Sequence, residues 1–147
     1  LPLVIAGIWD ARYPEAKQQA ESFDLGNAIR FVGSVPAADL PALYTGAFVF
    51  VFPSEYEGFG LPVLEAMACD TPVSCSQTSS LPEVVGDAAL MFDPTSVDVI
   101  AETLQRLIED DDLRHELQQR ASARAKLFSW ERTSSKTLQQ YRKIIRG

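Results

Sequence analysis

The residues of this 147-residue chain best suited to chemistry lie in one run, Glu57-Gly58-Phe59-Gly60-Leu61-Pro62-Val63-Leu64-Glu65. A carboxylate accepts hydrogen bonds from hydroxyls, and two carboxylates flanking one bond can share acid and base work. Glycines let a backbone approach a ligand closely and adopt conformations barred to other residues. Pro62 suits the first helical position, where an N–H would have no partner. A helix running from Pro62 to Cys69 aims its N-terminal N–H groups, and roughly half a positive charge, at what precedes it, and such an end binds phosphate.

Spacing decides how the two acids are used. A helix rises about 1.5 Å per residue, so eight positions, only part of them helical, hold the carboxylates on the order of 10 Å apart along the axis. A retaining hydrolase pair stands about 5 Å apart. Glu57 and Glu65 therefore suit opposite ends of one elongated ligand. A diol-bearing ribose, a diphosphate at the helix end and a sugar would fill that span. Glu65 is the only charged residue in its apolar helix, and a buried carboxylate is costly unless satisfied. It either bonds to backbone or a neighbouring hydroxyl, or it accepts from ligand hydroxyls. Glu57 is either a loop charge near a dipole or, given the glycines beside it, a site residue.

The elements that must position these residues are legible as alternating patterns. Leu3–Ala6, Ile29–Val32, Phe48–Phe52, Pro72–Cys75 and Ala89–Phe92 are short apolar runs that predict strands covered on both faces. Helices are predicted over Glu15–Leu25, Asp39–Tyr44, Pro62–Cys69, Val97–Glu109, Leu113–Phe128 and Glu131–Ile145. Strands alternating with helices mean an α/β fold with a parallel, doubly wound, Rossmann-like sheet, and ligands bind at the carboxyl ends of its strands. The site run follows one such end.

Hydrophobic residues make up 46% of the chain and charged residues 22%, as in one ordinary globular domain over residues 1–147. The net charge of −7 argues against nucleic-acid binding, which needs a basic surface. Asp98, Glu102, Glu109, Asp110, Asp111, Asp112 and Glu116 crowd one stretch, while Arg132, Lys136, Arg142, Lys143 and Arg146 make the end basic. These are solvated helix faces, or the basic edge meets a membrane surface or an acidic partner. Cys69 and Cys75 read as small buried hydrophobes. The single histidine, His115, reads as a surface residue, so no histidine base or zinc centre is expected. There is no apolar run of about 18 residues to span a membrane and no secretory signal; a reducing cytoplasm fits best.

The stretch Pro53-Ser-Glu-Tyr-Glu-Gly-Phe-Gly-Leu-Pro-Val-Leu-Glu-Ala-Met-Ala68 resembles the family 4 retaining glycosyltransferases of the GT-B fold. Their two glutamates separated by seven residues match Glu57 and Glu65. Ile29-Arg-Phe-Val-Gly-Ser-Val35 looks like the segment that cradles the nucleotide base, Ser79-Ser-Leu-Pro-Glu-Val-Val-Gly86 like the loop after the next strand, and Phe128-Ser-Trp130 like the entry to the C-terminal helix. The resemblance covers nearly the whole chain and implies the C-terminal, donor-binding half of a GT-B enzyme. It implies that Glu57 contacts the transferred sugar and assists charge development at its anomeric carbon. The backbone of Gly58, Phe59, Gly60 and Leu61 would hold sugar and diphosphate, Glu65 the ribose hydroxyls, and Ser34 and Val35 the base. A nucleotide-diphosphate sugar is the expected co-substrate, with no metal or other cofactor. The expected acceptor is a glycan or lipid-linked sugar, reached at the cytoplasmic membrane face, and anomeric configuration would be retained.

Two departures stand out. The family usually has Gly where Asp70 stands, a position that favours a left-handed backbone, which Asp tolerates moderately. The Arg and Lys that such enzymes use for the diphosphate, on an earlier strand–loop–helix that would sit at the sheet's centre, have no match in this chain, nor does the N-terminal acceptor domain. The chain is therefore expected to be incomplete and inactive alone. The alternatives are a non-catalytic nucleotide-sugar-binding module, or a sugar-nucleotide epimerase or phosphorylase on the same scaffold. Ala37 and Ala38 stand where some guanine users place an acid, which favours a uridine or adenine nucleotide.

Overall fold

The computed structural model describes residues 1–146, except for the side chains of Asn27 and of Arg146 in the basic edge. The chain divides into two compact units, Leu1–Leu40 and the remainder from Pro41. In the first, strand β1 (Leu3–Ala6) precedes helix α1 (Glu15–Ser22), and strand β2 (Ile29–Gly33) follows a short 3-10 turn. β1 and β2 pair in parallel, Leu3 opposite Ile29 and Val4 opposite Arg30. The turn out of β1 is closed by the Gly7 N–H, which donates to the Gly33 carbonyl at 2.9 Å. The expectation of a buried first strand is corrected here: all four residues of β1 are exposed. An apolar run reports affinity for cover, not the presence of it.

The second unit starts in helix α2 (Leu40–Thr45) and continues through strand β3 (Phe50–Phe52), helix α3 (Leu61–Ala68), strand β4 (Val73–Ser76), helix α4 (Leu81–Val85) and strand β5 (Leu90–Phe92). Helices α5 (Val97–Glu109), α6 (Asp111–Ala125) and α7 (Trp130–Arg146) follow. The sheet order is β3-β4-β5, all parallel, with Val51 opposite Ser74 and Ser74 opposite Leu90. β4, in the middle, is buried along its whole length. Its polar side chains are satisfied there, as burial requires: Ser74 Oγ donates to the Leu90 carbonyl at 3.0 Å and Ser76 Oγ to that of Phe52 at 3.4 Å. Cys75 is buried between them and Cys69 half-buried, so neither behaves as an exposed thiol.

α3 buries Val63, Ala66 and Met67, the i, i+3, i+4 face of a helix laid on a core. α6 packs against it with Leu117 and Ala121 buried. The end of α3 is a Schellman motif. Thr71 N–H reaches the Ala66 carbonyl at 3.0 Å, Asp70 N–H reaches that of Met67 at 3.1 Å, and Asp70 is left-handed at φ 57° as expected. Much of the acidic stretch is capping. Asp110 accepts from Leu113 N–H at 2.8 Å to start α6, and Asp98, Asp111 and Asp112 lie in first turns, where the dipole favours them. His115 is exposed. α7 is amphipathic, and its described side chains are exposed, Trp130 and Tyr141 among them. No helix is long and apolar enough to cross a membrane among the described residues.

Candidate functional site

Pro53 ends β3, and the chain crosses the carboxyl edge of the sheet to Gly60, the residue that caps α3. Gly60 stands at φ 97°, and a Cβ there would lie 2.5 Å from Leu81 Cδ2, so backbone conformation and space both demand glycine. Gly58 is different. Its φ is not positive and a Cβ would meet nothing within 4 Å. The conformational freedom expected to matter at both glycines is therefore needed at Gly60 alone, and what Gly58 provides is open space beside the backbone. α3 begins at Leu61, which puts Pro62 second rather than first. Val63 and Leu64 N–H groups turn back to the Gly60 carbonyl at 3.1 and 3.3 Å. Among the described residues, the N–H groups of Phe59, Gly60 and Leu61 donate to no protein acceptor. These three N–H groups stand at the end of the loop and on the first residue of the helix, a place that suits an anion.

Glu57 is half-buried at the head of this loop, and Ser54 Oγ donates to its Oε1 at 2.9 Å. Its backbone is held more firmly than its carboxylate. Glu57 N–H donates to Ser79 Oγ at 3.0 Å, and its carbonyl accepts from Ser79 Oγ at 2.5 Å and Ser80 Oγ at 2.9 Å. Phe59 meets Phe128 edge to face, centroids 5.9 Å apart, and Arg124 lies over Phe128 while its guanidinium takes the Val84 and Glu83 carbonyls.

Glu65 is exposed, which corrects the expectation of a buried carboxylate. Lying between the buried positions of α3, it points away from the core. Its partner is the neighbouring hydroxyl weighed above: Tyr44 Oη donates to Glu65 Oε2 at 3.0 Å. Tyr44 itself is buried, its ring edge-on to Phe50 and its carbonyl held by Thr71 Oγ1 at 2.8 Å. Burial first, then the Glu65 carboxylate, pushes the Tyr44 phenol up to about 12.

Glu57, Gly58, Phe59, Gly60, Leu61 and Glu65 thus lie on one loop and the helix it leads into, within the second unit. Ser34 and Val35 follow β2 in the first unit, Ser34 exposed and Val35 half-buried. The residues that sequence reasoning missed are Thr78, Tyr44 and Arg124, and Ser79 and Ser80 were named only as part of a loop. A hydroxyl-rich run after β4, at the same sheet edge as Glu57, was the available signal. Among the described residues no group of three or more His, Cys, Asp or Glu is placed to hold a metal ion. An open cleft of about 660 Å³ elsewhere is lined by Glu102, Glu109, Asp110, Asp111 and Asp112 with Arg106, and its negative charge would repel a diphosphate.

The family described as glycosyl transferases group 1 matches residues 1–124. O-antigen chain mannosyltransferase B of Escherichia coli is 45% identical over 141 residues, 96% of this chain and 37% of that protein. Sucrose-phosphate synthase from Thermosynechococcus elongatus superimposes with a TM-score of 0.87 at 30% identity, covering 97% of this chain and 38% of that one. HepE of Anabaena, solved in complex with UDP, gives 0.79 at 25% identity, covering 86% of this chain and 36% of that one. The chain spans a little over a third of the length of these proteins, and its parallel α/β architecture is that of the C-terminal half of GT-B glycosyltransferases. By sequence and by fold, this chain belongs to the glycosyl transferases group 1 family.

Proposed function

We propose that the chain supplies the donor site of a retaining glycosyltransferase, one that moves a hexose from a nucleoside diphosphate to an acceptor glycan or lipid-linked sugar. The observation that carries this reading is the loop Glu57–Leu61. It sets a half-buried carboxylate, three free N–H groups and a helix end in sequence, with a second carboxylate a little over one helical turn further on. A sugar, a diphosphate and a ribose present their hydroxyls and charge in that same order. The free N–H groups suit the diphosphate, Gly58 leaves room for it, Glu57 faces the transferred sugar and Glu65 the ribose diol. With Oε2 of Glu65 already taking the Tyr44 hydroxyl, Oε1 is the less committed oxygen for ribose. The role of Ser34 and Val35 at the base rests on the family resemblance alone, as does retention of configuration. The mannosyltransferase likeness supports mannose as the sugar, and no metal is expected, since a helix end and N–H groups meet the phosphate charge. A binding module without transfer remains the second reading.

The test is a pair of substitutions in a protein that carries this chain together with an acceptor domain, since the chain alone is expected to be inactive, with UDP-, ADP- and GDP-linked mannose and glucose as donors. Glu57→Ala is expected to abolish transfer while nucleotide affinity stays within about threefold, since truncating a group that acts on the transition state lowers kcat. Glu65→Ala is expected to weaken nucleoside diphosphate binding by about tenfold or more, the loss of a charged hydrogen bond. Unchanged affinity in Glu65→Ala, read by calorimetry, refutes its ribose role. Wild-type binding without transfer to any mannoside acceptor favours the binding module.

A further inference from the structure

We propose that the hydroxyls of Thr78, Ser79 and Ser80 are positioning groups for Glu57, strapping its peptide so that its carboxylate is presented at one place and angle. The proposal rests on the glycosyl-transfer reading above.

The strap joins two loops that leave the carboxyl ends of neighbouring strands. From the β4 side, Thr78 Oγ1 donates to the Glu55 carbonyl at 2.9 Å. Ser79 Oγ accepts the Glu57 N–H at 3.0 Å and returns its own proton to the Glu57 carbonyl at 2.5 Å. Ser80 Oγ donates to the same carbonyl at 2.9 Å. A hydroxyl can accept and donate at once, and a carbonyl oxygen has two lone pairs, so all of these bonds can coexist. Both peptide groups flanking the Glu57 Cα are thereby fixed by side chains. Leu81, the next residue, sits where a Cβ on Gly60 would fall. The segment Thr78–Leu81 is a template under the loop from Glu55 to Gly60.

Ser79 holds its place at φ 59°, a left-handed conformation uncommon for residues other than glycine. Glycine would relieve that backbone but carry no hydroxyl. Strain retained where a side chain makes both of its bonds to one residue points to the hydroxyl as the reason. The strap reaches neither Glu65 nor Tyr44, which hold each other by a separate bond. It should therefore govern the sugar end of the site and leave the ribose end alone. Misplacement of a reacting group by about 1 Å can cost roughly 100-fold in rate.

Ser79→Gly in the same protein with its acceptor domain separates hydroxyl from strain, and Thr78→Val with Ser80→Ala removes the flanking bonds. The readouts are kcat and KM with the donor that the wild type accepts best, UDP affinity or that of the matching nucleoside diphosphate by calorimetry, and the melting temperature. Ser79→Gly is expected to melt at or above the wild-type temperature, keep nucleoside diphosphate affinity within about twofold and lose about 10- to 100-fold in kcat. A folded Ser79→Gly with wild-type kcat overturns the strap while leaving the transfer reading intact. A kcat loss matched by an equal loss of nucleoside diphosphate affinity also overturns it, since that is general damage to the site. A wild-type protein that carries this chain together with an acceptor domain and moves no sugar from any donor overturns the transfer reading, and the strap's role with it.

Discussion

Tyr44 and Glu65 form a two-residue device whose protonation can be followed directly. The phenol is buried and donates to the carboxylate, so ionising it would put a second negative charge beside Glu65 in a poorly solvated place. The unfolded chain gives up that proton near 10, whereas the folded chain holds it to about 12. Between those values the unfolded state binds fewer protons, so folding stability falls as pH rises through the window. Cys75 adds to the same alkaline loss from a lower starting point, because burial pushes its thiol from 9.0 up to about 12. Urea denaturation of wild type should therefore show stability declining from about pH 9 upward, with Tyr44→Phe flattening the upper part of the decline. Spectrophotometric titration gives the cause. In Glu65→Gln the most perturbed tyrosine should ionise at lower pH than in wild type, yet still above 10, since burial is the larger cause. No movement would mean that the carboxylate contributes nothing to holding the phenol.

At the scale of elements, the two glycines of the loop separate structure from binding. Gly60→Ala must place a methyl against Leu81 at a positive φ, and is expected to cost about 2 kcal/mol or more in chemical denaturation. Gly58→Ala has open space and an ordinary φ, and should leave stability within about 1 kcal/mol while weakening nucleoside diphosphate binding where a ligand comes close to that backbone. Equal affinity in Gly58→Ala and wild type would remove Gly58 from the site. The same elements show what the amino-acid pattern could carry. The loop, its conformationally demanding Gly60 and α3 are legible because glycine, proline and an apolar face have local causes, whereas the left-handed Asp70 follows from the family resemblance, which has glycine at that position. Helix α4 reads as loop in the sequence, since Leu81-Pro-Glu-Val-Val85 has a proline and two β-branched residues and is well short of two turns. Its start is fixed by Ser79 and Ser80 reaching another loop, a tertiary contact no local propensity encodes. Glu65 reads as interior from the apolar character of its neighbours, although the spacing of Val63, Ala66 and Met67 leaves it on the outward side.

Over the whole molecule, the two units differ in what can hold them. The unit from Pro41 has a three-stranded parallel sheet with a fully buried middle strand, and its core includes Val63, Met67, Val73, Leu81, Phe92 and Leu107, all nearly or wholly inaccessible. The unit Leu1–Leu40 has a two-stranded sheet and one eight-residue helix, and among its described residues none is buried. Two strands alone are marginal in water, and eight helical residues fall short of the roughly 12–15 an isolated helix needs. Apolar side chains such as Leu3, Val4 and Ile5 stay open, so the first unit lacks the buried area that offsets the entropy of ordering about 40 residues. A fragment of residues 41–147 is accordingly expected to unfold cooperatively in urea and to keep the Glu57–Glu65 segment intact. A fragment of residues 1–40 is expected to show no cooperative transition, and its amides should exchange with solvent at unprotected rates. Protection of the Gly7 amide in the isolated 1–40 fragment would show that its β1–β2 pairing is self-sufficient. Loss of cooperativity in 41–147 would instead mean that the larger core depends on the smaller unit for its folding.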